Sequence, residues 1–175
     1  MDETWRISVW QQFGAAIDML ENCIEACPDS LWGDQTRNPQ YWYLVFHTLW
    51  WLDYYLTRPI ESYAPPPPYG LEEMDPAGVL PPRVYSKAEM RSLLAHGREK
   101  TRATIEALTA ELAAQPCGAE RPELKVGELV LYNLRHVQHH AAQLNLILRQ
   151  TVDAAPRWVA KTAHPLHLGG PAAQR

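Results

Sequence analysis

Three histidines occupy five consecutive positions in His136-Val137-Gln138-His139-His140. They lie in a segment where Val126, Val130, Leu134, Val137, Ala141, Leu144 and Leu148 recur three and four apart, the mark of a helix with one buried face. At roughly 100° per residue, His140 stands about 40° from His136, and both edge the apolar stripe. His139 stands about 300° round and is expected to point outward. Imidazoles at i and i+4 can aim their ring nitrogens at one point, a spacing that zinc-binding helices use. A further candidate, His47, is embedded in the apolar run "YLVFHTLWW". A buried histidine needs a hydrogen-bond partner or a metal. Three inward imidazoles from two helices, with a fourth position open, is the usual arrangement of a catalytic metal site. The alternatives are two polar residues edging a core for the His136/His140 pair, and a neutral ring bonded to a tyrosine hydroxyl for His47.

Around these three lie residues that can orient a ligand or touch a substrate. Gln143 is about 20° from His136 and Asn133 about 60°. Tyr43, Trp50, Trp51 and Tyr54 share the face of His47. Asp53 and Glu128 read as surface charges, so no residue is assigned a proton-transfer role. His96 lies opposite the apolar stripe of its own helix and is expected in solvent. His164 and His167 fall in the C-terminal tail and carry no assigned role.

Four helical segments must position these groups. The first spans about Thr4 to Cys27, with Trp10, Phe13, Ile17, Leu20, Ile24 and Cys27 on one stripe, and Pro28 stops it. The second is expected to open with Asn38 as N-cap and Pro39 at the first helical position, and to run to about Thr57. It is apolar almost all round, so it is either central or covered by another subunit. Residues 59–85 are too proline-rich for helix or central strand and read as a long extended connection. The third helix opens on a Ser86/Glu89 capping box, buries Met90, Leu94, Gly97, Thr101, Ile105, Leu108 and Leu112, and ends before Pro116. The fourth runs from about Val126 to Gln150. With no convincing strand, the expected fold is all-α, a four-helix bundle with a long Pro-rich crossover loop. Residues 1–150 form the bundle, and 151–175 form a tail that packs on it or is partly disordered.

The bulk properties exclude several classes. The chain has 175 residues and a net charge of −4, with no basic run, so no nucleic-acid partner is expected. The longest apolar run, 41–52, is too short to span a bilayer and the N-terminus lacks a signal-peptide pattern. The expected compartment is the cytoplasm, with no membrane partner. Cys23 and Cys27, four apart on a helix, read as buried thiols, and Cys117 makes the count odd.

With "FHTLWWL" in the second helix and "HVQHHAAQL" in the fourth, the chain resembles the DinB/YfiT-like family of metalloenzymes. The second stretch is similar to the family's H-x-x-x-H-x-x-Q pattern, with His136, His140 and Gln143 in place, and the likeness covers roughly residues 4–150. One departure is Ala142, where the family often has Gly. The resemblance implies His47, His136 and His140 as ligands of a divalent metal, zinc or nickel, and frequent homodimerisation. It implies a metal-dependent enzyme that activates water or a low-molecular-weight thiol for transfer to a small electrophilic substrate, a thiol-dependent S-transferase or a hydrolase. The competing expectation is a non-catalytic dimeric bundle with a structural metal or none. The dimer expectation also rests on the apolar second helix and an exposed Trp5.

Overall fold

The computed structural model describes residues 2–118 and 123–168. Among them it is all-α, with helices α1 (Glu3–Ala26), α2 (Asp29–Trp32), α3 (Tyr41–Tyr55), α4 (Lys87–Glu106), α5 (Ala110–Ala113) and α6 (Val126–Val152). The four long helices pack in a ring, α1 against α4, α4 against α3, α3 against α6 and α6 back against α1. The stripes read from the sequence fill the interior. Trp10, Phe13, Ile17 and Leu20 of α1 meet Val137, Ala141 and Leu144 of α6 in one buried cluster. Each large apolar side chain among them, taken from water, stabilises the fold by about 1.5–3 kcal/mol before entropy is subtracted.

Several boundaries differ from expectation. Pro28 ends α1 but also opens α2, a single turn that seats Leu31 and Trp32 in the core. The α3 helix starts at Tyr41, not at Pro39. Gln40 is its extended cap residue, held by Trp42 Nε1 donating to Gln40 Oε1 at 2.6 Å. The third helix does not continue to Pro116. It stops at Glu106, and Thr109 then caps α5 by accepting from Leu112 N at 3.1 Å, a turn that keeps Leu108 buried. The Ser86/Glu89 capping box at the start of α4 is present.

The all-round apolarity of α3 is satisfied within one chain. Besides α4 and α6, the segment 59–85 lies across it, placing Tyr63 against Trp50 (4.9 Å between ring centroids), Tyr85 against Phe46 (5.0 Å) and Tyr69 beside Phe46 (5.8 Å). Prolines suit this role, because an extended strap that supplies side chains has no need of ladder N–H groups. Short 3-10 turns at Ile60–Ser62 and Glu72–Met74 interrupt the strap.

The described part of the tail lies on α1. Thr162 N donates to Gln11 O at 3.1 Å, Trp10 Nε1 donates to His164 O at 2.7 Å, and Thr162 fills the notch above Gly14, where a Cβ would sit 2.5 Å from Thr162 Cγ2. Residues 169–175 of the tail lie outside the described residues.

Asp53 is not a surface charge. Its side chain is 1% exposed and accepts from Lys100 Nζ at 2.5 Å, with His96 Nε2 3.1 Å from the same oxygen. The helix carrying it is buried on nearly every side, so Asp53 looks into the α3–α4 seam whatever its angle to His47. His96, expected free in solvent, stays half-exposed but takes this partner. Cys23, Cys27 and Cys117 are free thiols, the first two buried. Burial pushes Cys23 and Cys27 each up to about 12, which leaves them unreactive near neutral pH. No helix among the described residues is long and apolar enough to cross a membrane.

Candidate metal centre

Along α3, Tyr43, His47, Trp51 and Tyr55 stand four residues apart, and along the facing side of α6, Tyr132, His136 and His140 do the same. Residues at that spacing stack on one helix face, so the two rows meet across the α3–α6 seam. The three imidazoles converge there. His47 is 5.4 Å from His136 and 4.9 Å from His140, and His136 is 4.6 Å from His140, between ring centroids. A nitrogen from each can be chosen so that all lie within 4.8 Å of one another. His139 is exposed and only brushes His140, in keeping with its outward angle.

Two of the rings are fixed through Nδ1. His47 Nδ1 donates to Glu73 Oε2 at 2.6 Å, and His140 Nδ1 donates to Gln143 Oε1 at 2.7 Å. In the neutral ring each contact puts the proton on Nδ1 and leaves the Nε2 lone pair free to bind an ion. The third ring has an orphan, since His136 Nδ1 is buried with no hydrogen-bond partner among the described residues. Burial, reinforced by the neighbouring imidazoles, holds His136 down at about 3. Burial also lowers His140, to about 4, against the opposing pull of Gln143. Both rings are therefore neutral near pH 7, the form that ligates metal. A nitrogen-only ligand set, an unsatisfied buried nitrogen and neutral rings fit a divalent transition-metal ion such as zinc or nickel.

The cleft above the histidines measures ≈ 390 Å³ and is walled by Tyr43, Trp51, Tyr55 and Tyr132, with Glu73 at one edge. Of the residues expected to contact a substrate, Tyr43 and Trp51 are on this wall. Trp50 and Tyr54 are not. They stack on each other at 5.4 Å beneath Tyr63, and Trp50 Nε1 donates to Gly70 O at 2.9 Å. Asn133 is also away from the cleft, buried with its Nδ2 donating to Leu52 O at 3.0 Å. Gln143 is at the site through His140.

Sequence reasoning missed Glu73, Tyr55 and Tyr132. The two tyrosines carried a signal, because Tyr55 is eight residues beyond His47 and Tyr132 four before His136 on the same rows. Glu73 carried none. It lies 26 residues from His47 in the strap, where no periodicity fixes its direction. The buried carboxylate also crowds Tyr43, whose phenol is pushed up to about 12 by burial and by that charge.

A second cluster, Asp18, Glu21 and His164, also has closely spaced ligand atoms, but Arg98 already pairs with both carboxylates. The sequence matches the family model of the DinB superfamily over residues 12–144. No curated protein and no solved structure gives a match.

Proposed function

Because the chain belongs to the DinB superfamily, we propose that it is a metal-dependent enzyme whose centre is His47, His136 and His140. The carrying observation is the convergence of three imidazoles from two helices, two of them with Nδ1 already engaged, beneath an open cleft. Three protein ligands under an open cleft fit a catalytic site better than a closed structural one, which uses four. A divalent ion held there supplies Lewis acidity, lowering the pKa of water or of a low-molecular-weight thiol so that either can attack a small electrophile.

The residues of this chain have separate tasks in that reading. Glu73 and Gln143 hold two rings in the ligating tautomer. Tyr43, Trp51, Tyr55 and Tyr132 offer flat apolar faces to the substrate and limit the water beside it. Transferase and hydrolase chemistry both suit this arrangement, and the nucleophile decides between them.

Metal analysis of protein purified without a histidine tag tests the proposal. Near one ion per chain is expected, falling below about one-tenth in His136→Ala. At a hundredfold excess over Kd the ion should stabilise the wild type by about 2.7 kcal/mol. An ion-free wild type, with His136→Ala unchanged in structure and stability, supports the non-catalytic bundle instead. With an ion present, a screen of electrophiles with and without added thiols separates transferase from hydrolase.

A further inference from the structure

The least expected residue at the centre is Glu73. It sits in the 3-10 turn Glu72–Met74 of the strap, yet its side chain is 2% exposed. The strap is pinned on both sides of this turn, by Trp50 Nε1 donating to Gly70 O and by Trp32 Nε1 donating to Tyr85 O, both at 2.9 Å. Glu73 Oε2 accepts from two α3 side chains, His47 Nδ1 at 2.6 Å and Trp51 Nε1 at 2.9 Å. Its other oxygen, Oε1, is buried with no hydrogen-bond partner among the described residues.

A buried carboxylate is costly unless a countercharge lies close. No Lys or Arg pairs with Glu73 among the described residues, and none lines the cleft it borders. Its ionisable contacts are the neutral phenol of Tyr43 and His47, the ring that would face the ion on its other side. A strap that needed only an anchor could use a neutral acceptor. A carboxylate behind a ligating imidazole does more, because it raises the ring's basicity and offsets the ion's charge.

We propose, resting on the metal-centre reading above, that Glu73 is the positioning residue for His47 and that ion binding and docking of the strap 59–85 are coupled through it. With an ion on the far side of the ring, His47 Nδ1 would donate more strongly to Glu73, and that contact would hold the strap down. A docked strap in turn presents His47 in its ligating form. By reciprocity the two effects have the same size.

Zinc affinity measured by competition with a chromophoric chelator, alongside proteolysis of the strap, tests this. Glu73→Ala should weaken zinc binding about 10–100-fold. Glu73→Gln keeps an acceptor but loses the charge, so it should fall between, with a wild-type circular dichroism spectrum that carries the test even if the alanine variant folds poorly. A protease that cuts at apolar residues should reach the exposed Leu71, Val79 and Leu80 several-fold more slowly in the zinc-loaded wild type, and zinc should give Glu73→Gln less protection. A purely structural anchor would change cleavage without changing zinc affinity. Zinc binding within twofold of wild type in both variants, or cleavage of the wild type indifferent to zinc, overturns the proposal. A wild type that takes up neither zinc nor nickel overturns the metal-centre reading itself, and this inference with it.

Discussion

Acidifying the metal-free protein should unfold it in a way that depends on His136 and His140. Burial lowers them to about 3 and about 4 in the folded state, whereas an unfolded histidine titrates near 6.5. Below about pH 6.5 the unfolded chain binds protons at both positions and the folded chain at neither, so stability falls with pH. The contribution is intact above about 6.5 and is lost as pH drops towards the folded values. Each ring adds a slope of at most about 1.4 kcal/mol per pH unit, or about 2.7 for the pair. Both rings are partly exposed beneath an open cleft, so water reaching them reduces this, and about 1–2 kcal/mol lost per unit between pH 6 and 5 is the expected size. Urea unfolding of chelator-treated protein at pH 7, 6 and 5 reads it as a midpoint falling by about 0.5–1 M per unit. His136→Gln removes one of the two groups and should roughly halve the slope, and the comparison cancels the shared titration of other residues. Identical slopes in the two proteins would refute the claim that the imidazoles are held neutral in a desolvated seam.

Three further outcomes are expected. Asp53→Ala strands the partly buried Lys100 and should cost about 2–3 kcal/mol in urea unfolding, while a loss under 0.5 kcal/mol would mean the seam is wetter than it looks. Gly14→Ala drives a methyl into Thr162, so it should destabilise by about 1–3 kcal/mol and expose residues 153–168 to protease; unchanged digestion would mean the tail is held elsewhere. The homodimer is a proposal whose remaining support is Trp5, 46% exposed at a depression shared with the exposed Leu131, since the strap already covers α3. Light scattering at micromolar concentration should give twice the chain mass, and Trp5→Asp should reduce it; a monomeric wild type removes the idea.

What was legible in the sequence was what one helix determines for itself. The stripes of α1, α4 and α6, the Ser86/Glu89 cap and the division of the histidine cluster into His136 and His140 against His139 all follow from angle and spacing. Angle failed on α3, because a helix whose sequence is apolar all round offers no reference face. For that reason spacing reads Asp53 as a surface charge and Trp50 and Tyr54 as cleft residues, whereas Asp53 pairs with Lys100 and the two rings pack under Tyr63 of the strap. Glu73 was invisible because its position depends on how 27 irregular residues, 59–85, lie on a surface they help to create. The α4–α5 break was equally hidden. The apolar spacing runs through it, and only the Thr109 cap marks the turn.

All three imidazoles hang from a single seam, and α1 and α4 contribute none. The bundle thus divides into a gripping half and a buttressing half. On the buttressing side, exchanges between apolar residues of equal bulk are expected to leave the grip undisturbed. On the gripping side, slipping α3 by one residue against α6 would carry His47 about 1.5 Å along and 100° round, taking it out of reach of its two companions. Axial register between two helices is thus the quantity this architecture has to protect.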